Sequence, residues 1–347
     1  MRRHGNLYSS IYDFENLYLA FRKASKGRRY EPEVLRFKDN LEEELIHIQN
    51  ELIWRTYKPQ PYRSFTIYEP KERIIYVSPF KDRVVHHAIM RVVAPIWDSL
   101  YIYDSYACRA GKGTHAGVYR TVDFLRESHE KWGKVYCFKG DVSKFFPSIN
   151  HHILMSIIER KIKCLDTLRL LREIIFNGGS LNDPESKDLP IGSLVSQWGA
   201  NLYLNELDYF IKHELKAKFY IRYMDDFIIL LGDKKQLHEM KNNISKFLKG
   251  RLRLKFNPKS DIFPAGRGID FLGYRIWGTH RLLRKSSLIR ASRRFKWMSK
   301  AYNKGIISFQ FIKSSVMAWL GHCSHANAVK GKEICMRGLV LSKSKKI

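Results

Sequence analysis

Tyr223-Met224-Asp225-Asp226, set between the apolar runs Phe219–Arg222 and Phe227–Leu231, decides the reading of this chain. Two strand-forming segments meet at a tight turn that carries adjacent carboxylates. Like charges that close repel, and burial raises the cost of both unless something neutralises them. A divalent cation removes that cost. Asp is common in turns, so the pair alone is weak evidence. Asp141 changes the weight, because it ends another apolar strand-like run, Lys134–Gly140. Carboxylates on neighbouring strand ends can hold two Mg²⁺ ions about 3.5–4 Å apart, with Mn²⁺ possible, since oxygen-only ligands favour these ions over zinc. One ion would lower the pKa of a 3′-hydroxyl; the other would hold a triphosphate and stabilise the departing pyrophosphate. In-line phosphoryl transfer needs positioning and charge compensation more than covalent catalysis.

Outward from this centre, residues 13–57 read as two helices, with Leu41, Leu45, Ile46, Ile48, Leu52 and Ile53 as an apolar stripe. Residues 62–78 read as a hairpin with a basic rim and a Glu69-Pro70-Lys71-Glu72 turn. Helices follow over about 81–99 and 115–130, helical segments over 150–176, helices over 194–215 and 234–249, then short strands to Trp277. Cys108–His115 is a loop whose glycines, Gly111 and Gly113, allow its backbone to approach a phosphate, with Arg109 and Lys112 beside them.

The chain has 347 residues, 62 Lys or Arg against 34 Asp or Glu, and a net charge of +28. Such an excess implies a polyanionic partner, with nucleic acid the default. Apolar residues at 44% are ample for a core, and no apolar run is long enough for a transmembrane helix. The odd set of five cysteines, with no Cys-x-x-Cys pair, suits a reducing compartment, so a cytoplasmic location is expected. Residues 281–347 hold 16 Lys or Arg against the lone acid Glu333. Phe295, Trp297, Phe309, Phe311 and Trp319 interleave with those charges, which reads as a folded basic helical module rather than a solvated tail.

Together with Asp141-Val142-Ser143-Lys144-Phe145-Phe146, the Tyr-x-Asp-Asp hairpin resembles the palm of reverse transcriptases. Other blocks occur in the family's order. Arg73–Ala88, with Ser78-Pro79-Phe80-Lys81-Asp82-Arg83, resembles the fingers block of bacterial members, and Tyr106–His115 resembles the block after it. Leu254-Lys255-Phe256-Asn257-Pro258-Lys259-Ser260 resembles the lysine-bearing motif, and Phe271-Leu272-Gly273-Tyr274 the primer-grip turn. Most bacterial members have Gln-Gly-x-x-x-Ser-Pro between the acid motifs. This chain has Ile191-Gly192-Ser193-Leu194-Val195-Ser196-Gln197, which departs at both ends and resembles the reverse transcriptases of diversity-generating retroelements.

The resemblance implies an α+β right-hand polymerase: N-terminal extension and fingers over 1–130, palm with fingers-contributing insertions over 131–280, and a small basic thumb over 281–347. It implies an RNA-directed DNA polymerase that copies a template-repeat RNA into cDNA with adenine-directed errors, for mutagenic retrohoming. By motif match, Asp141, Asp225 and Asp226 are metal ligands and catalytic, and Lys259 protonates pyrophosphate. Arg73, assisted by Lys71, takes the triphosphate of the deoxynucleotide (dNTP). Phe146 falls where the family keeps a steric gate against a 2′-hydroxyl, with ordinary core packing as the alternative. Ile191 and Gln197 fall at the incoming-dNTP and fidelity positions; Ile191 offers bulk where a hydrogen-bonding Gln near the templating base is usual, which would weaken discrimination, with a plain packing substitution as the alternative.

The implied partners are template RNA, the RNA–cDNA duplex, dNTPs and a small basic helical accessory variability protein that assembles as a ring; no membrane is involved. The stretch after Tyr274 has room for a thumb but not also for an RNase H or endonuclease domain, so integration would need outside help. A group II intron-like or retron-like enzyme is the nearest alternative. An inactive RNA-binding protein derived from a polymerase is the alternative of another class. His322-Cys323-Ser324-His325 with Cys335 invites a zinc reading, but the spacing fits no standard motif.

Overall fold

The computed structural model describes residues 3–68, 72–177 and 181–342. Strands β1 (Arg63–Ile67) and β2 (Arg73–Val77) form a hairpin. Strands β3 (Tyr136–Asp141), β4 (Phe219–Tyr223), β5 (Asp226–Leu231) and β6 (Asp261–Pro264) form an antiparallel sheet in the order β4-β5-β3-β6. Strands β7 (Ile269–Phe271), β8 (Tyr274–Ile276) and β9 (Arg281–Leu283) form a small antiparallel sheet in that order.

Away from the acids at their ends, β3, β4 and β5 are largely apolar because both faces are covered, with Lys139 in β3 and Arg222 in β4 as the charged exceptions. Phe138, Tyr220, Phe227 and Ile229 face one core, shared with the helices Phe80–Asp98, Leu194–Tyr209 and Lys234–Leu252. Their neighbours Cys137, Phe219, Ile221, Ile228 and Leu230 face a second core, under the helix Thr114–Trp132 and the small sheet. Period-two alternation thus sends successive side chains of one strand into two different cores. Gly140 lies opposite Phe227, and a Cβ there would come within 2.3 Å of the Phe227 ring. Only glycine lets β3 carry Asp141 this close to the hairpin.

The N-terminal region differs from the sequence reading. Residues 13–57 hold three helices rather than two: Phe14–Ala24, Pro32–Asp39 and Leu41–Ile53. Pro32 opens the second at a position where its missing N–H is harmless, and Asn40 (φ −119, ψ 40) breaks the continuation into the third. Leu17, Phe21, Phe37, Leu45, Ile48 and Leu52 join Phe80 and Val84 in the larger core.

The basic C-terminal segment begins with β9 and, among the described residues, continues as three helices, Lys285–Asn303, Phe309–Cys323 and Val329–Met336. They have their own apolar core of Ala291, Phe295, Met298, Ile312, Val316 and Cys335, with Trp319 edge-on to Phe295 at 5.1 Å. The other interleaved aromatics, Trp297, Phe309 and Phe311, are exposed. Among the described residues, no helix is long and apolar enough to cross a membrane.

Candidate active site

In register, β3 places Asp141 opposite Asp226, and β4 places Tyr223 opposite Asp226. The hairpin loop is therefore Met224-Asp225 alone. Two-residue loops need positive φ at the first central position, usually a glycine. Met224 takes it instead at φ 55, a conformation that costs a side-chain-bearing residue about 1 kcal/mol. The turn sets Asp225 and Asp226 beside Asp141 at one end of the sheet.

Asp141 is braced by the segment after the helix Lys234–Leu252. Asn257 Nδ2 donates to Asp141 Oδ2 at 2.7 Å, and the Asn257 N–H donates to the Asp141 carbonyl at 2.8 Å. Ser260 Oγ accepts the Asp141 N–H at 3.0 Å and donates to its carbonyl at 3.1 Å. One carboxylate is thus held on both its backbone and its side chain. Lys259, between the two braces, is exposed, and its N–H donates to Asn257 Oδ1 at 3.1 Å.

The electrostatics reflect crowding. Burial, then the nearby Asp141 charge, pushes Asp225 up to about 6, with Arg73 and Arg222 pulling the other way. Burial pushes Asp226 up to about 7; Lys139 opposes the rise, and Asp141 and Asp225 add to it. Lys139 Nζ lies 3.6 Å from Asp226 Oδ2 and donates to the Asp270 carbonyl at 2.7 Å. Asp226 Oδ1 is buried with no hydrogen-bond partner among the described residues.

An orphaned carboxylate oxygen beside two further carboxylates is the donor chemistry a hard divalent cation takes. Among the described residues, no His, Cys, Asp and Glu side chains are drawn into a closed metal cluster. The fit therefore rests on donor type, the orphaned oxygen and mutual repulsion.

The remaining predicted residues fall at different distances from this centre. Arg73 is exposed on β2, and its charge reaches Asp225. Lys71 lies outside the described residues. Lys144 turns left-handed (φ 44) and starts the short helix Phe145–Ser148. Phe145 is 3% exposed in the core, whereas Phe146 is only half-buried, edge-on to it at 5.6 Å. Tyr76 N–H donates to the Ile191 carbonyl at 2.8 Å, which ties the Ile191 loop to the strand that carries Arg73. Gly192 has φ 120, and a Cβ there would sit 2.4 Å from the Tyr76 carbonyl oxygen, so the close approach requires glycine. Gln197, on the helix Leu194–Tyr209, accepts at Oε1 from Cys108 Sγ at 3.8 Å.

Two loop cations are committed elsewhere. Arg109 binds Asp98 at 2.6 Å and the Ile102 carbonyl at 2.8 Å. Lys112 donates to the Tyr103 carbonyl at 2.9 Å and caps its ring. Both serve the fold of their own loop. His322 and His325 join His115, not Cys335: His115 stacks on His325 at 3.5 Å, and Tyr274 Oη contacts His322 Nδ1 at 2.9 Å.

Sequence reasoning missed the braces Asn257 and Ser260, although it quoted their motif for Lys259. It also missed Arg222, which is fully buried against Asp208. A charged residue inside an otherwise apolar run was the available signal.

Carboxylates at the ends of β3 and of the β4–β5 hairpin, on an antiparallel sheet backed by helices, define the class: the palm of a nucleic-acid polymerase. The reverse transcriptase (RNA-dependent DNA polymerase) family profile matches residues 60–276, and the chain belongs to that family. Protein YkfC of Escherichia coli strain K12 is 28% identical over 285 residues, covering 70% of this chain and 72% of YkfC. The group II intron-encoded protein LtrA of Lactococcus lactis subsp. cremoris is 24% identical over 325 residues, covering 74% of this chain and 52% of LtrA. This chain thus spans about half the length of LtrA. Among solved structures, apo telomerase from Candida tropicalis superposes with a TM-score of 0.51 at 13% identity, covering 67% of this chain and 50% of that one. That likeness is one of fold, and it is consistent with a right-hand polymerase.

Proposed function

We propose that this reverse transcriptase copies a template-repeat RNA into cDNA with adenine-directed errors, for mutagenic retrohoming of a diversity-generating retroelement. The observation that carries the reading is the Ile191–Gln197 block, docked by its backbone on the strand that bears Arg73. An apolar Ile191 at that place removes a hydrogen-bonding contact, and a few kcal/mol separates right from wrong nucleotides.

In this reading residues 1–130 serve as N-terminal extension and fingers, 131–280 as palm and 281–347 as thumb. Asp141, Asp225 and Asp226 hold two divalent ions, Mg²⁺ by preference. Those ions, when bound, supply charge compensation at the attacking and leaving oxygens. Asn257 and Ser260 keep Asp141 in place for that task. Arg73 and Lys71 bind the triphosphate oxygens, the arginine through its planar fork and the lysine as a point charge. Phe146 excludes a ribose 2′-hydroxyl, and Lys259 Nζ gives its proton to pyrophosphate. The basic helices grip the RNA–cDNA duplex through its backbone charge and A-form shape. A small basic helical ring protein is the accessory partner.

Primer extension on a defined RNA, followed by sequencing of the cDNA, tests the reading. Errors should concentrate opposite template adenines, and Ile191→Gln should lower them. An unchanged adenine error rate in Ile191→Gln refutes the role of Ile191. The likeness to LtrA favours a second reading, an intron-type reverse transcriptase without a mutagenic role. An error spectrum even across the four template bases decides for it.

A further inference from the structure

Arg222 sits one residue before the catalytic turn, in a strand with both faces covered. Its side chain and that of Asp208 are both fully buried. A buried charge survives only when paired and fully hydrogen-bonded. Arg222 Nε donates to Asp208 Oδ1 at 2.7 Å, and Nη2 donates to Oδ2 at 2.5 Å, a two-pronged carboxylate contact. Tyr220 Oη donates to the same Oδ1 at 2.6 Å.

The pair leaves Nη1 for other partners. It donates to Asn201 Oδ1 at 2.8 Å and to the Met224 carbonyl at 3.1 Å. Met224 is the residue held left-handed in the hairpin loop, and its carbonyl begins the peptide that leads into Asp225. Asn201 lies one helical turn beyond Gln197, and its Nδ2 donates to the Ala107 carbonyl at 2.7 Å. The Ala107 loop also carries Cys108, the residue that contacts Gln197. One guanidinium therefore joins the catalytic turn to the helix that bears the diverged block.

We infer that Arg222 is a positioning residue: the Asp208–Arg222–Asn201 clamp fixes the Met224 carbonyl, and with it the angle at which Asp225 and Asp226 are presented to a divalent cation. This rests on reading the turn as the metal-holding site. A strained two-residue loop relaxes unless its surroundings over-determine it. The clamp supplies that constraint from beneath, out of reach of solvent and substrate.

Asn201→Ala is the informative variant, because it loosens the clamp and leaves the Arg222–Asp208 pair intact. Mn²⁺ binding to the nucleotide-free protein is followed by electron paramagnetic resonance, beside primer-extension kinetics and thermal melting. Asn201→Ala should weaken Mn²⁺ binding about five- to tenfold and lower kcat about tenfold, with KM for dNTP within twofold of the parent. Asn201→Asp keeps an acceptor for Arg222 and loses the donor to Ala107, and it should restore Mn²⁺ binding. Asp225→Asn is the reference. Loss of Mn²⁺ binding in Asp225→Asn, with parental affinity in Asn201→Ala, overturns the clamp alone. Equal impairment of Asn201→Ala and Asn201→Asp also overturns it, by assigning the effect to the Ala107 contact. Retained Mn²⁺ binding in Asp225→Asn overturns the metal-site reading, and the clamp's purpose with it.

Discussion

Asp226→Asn should make the metal-free protein more stable while abolishing polymerisation. The carboxylate is pushed from the ordinary 3.8 up to about 7, chiefly by burial, with Asp141 and Asp225 adding repulsion. At about 1.4 kcal/mol per pH unit, that rise corresponds to roughly 4 kcal/mol against the ionised form in the folded state. The side chain is still 27% exposed, and its neighbour Asp225 titrates with it, so about 2 kcal/mol is the working figure. That figure is already net of the attraction of Lys139, whose Nζ lies 3.6 Å away.

The size of the effect depends on pH. Below pH 4 Asp226 is protonated in both folded and unfolded chains, and the substitution changes little. Between pH 4 and 7 the unfolded carboxylate ionises first, and the parent protein loses stability as pH rises. Above pH 7 the full penalty applies, and Asp226→Asn should melt higher, by roughly 3 °C for a chain of this size. Differential scanning calorimetry in EDTA at pH 5 and pH 8 compares a point early in that window with the upper limit. Saturating Mg²⁺ should narrow the gap at pH 8, because the parent gains binding energy that the variant lacks. A variant that melts lower than the parent in EDTA at pH 8 refutes the picture of crowded, uncompensated carboxylates.

Other consequences follow from neighbouring residues. Asn257→Ala removes a hydrogen bond to the Asp141 carboxylate, worth about 1.5–3 kcal/mol; kcat in primer extension should fall roughly 10- to 100-fold with dNTP KM little changed. Phe146→Ala should relax sugar selection roughly 10- to 100-fold, read as the ratio of kcat/KM for deoxy- and ribonucleotides, because the half-buried ring packs on Phe145 without being core itself. Burial and neighbouring histidines hold His115 and His322 below the ordinary histidine value, so acidification through about pH 6.5 should cost stability where His322, at the end of the helix Phe309–Cys323, meets Tyr274 and where His325 just beyond it meets Tyr119. Amide exchange in that helix should rise several-fold between pH 7.5 and 5.5, and His115→Phe should blunt the rise.

How much of this was legible in the sequence follows from its physics. The hairpin, the acid-ended strand before it and the order of the blocks were readable because each is local: strand residues on both sides of a turn, and charges that cannot be buried unpaired. The flanking helices from Phe80 onward were readable for the same reason. The split of residues 13–57 into three helices was not, because the apolar stripe continues through Asn40 and only the backbone there breaks it. Arg109 and Lys112 looked free, since a sequence does not show that Asp98 and Tyr103 fold back to meet them. Asn257 and Ser260 were quoted for the lysine between them, because their value lies in bonds to a residue far away in the chain.

The sequence by itself determined the chemistry on offer: three carboxylates at strand ends, a basic C-terminal module and an altered Ile191–Gln197 block. Tertiary structure decided how that chemistry is held. Register brings Asp141 opposite Asp226, Gly140 clears room for Phe227, and two cores clamp the sheet that carries the acids. It also decided that Arg222, an anomaly in a row of apolar residues, anchors the Met224 carbonyl from below. Local pattern specifies which groups exist and which face they take. Only packing over long sequence separations fixes the angles between them, because those contacts are set by the whole core and by no single segment.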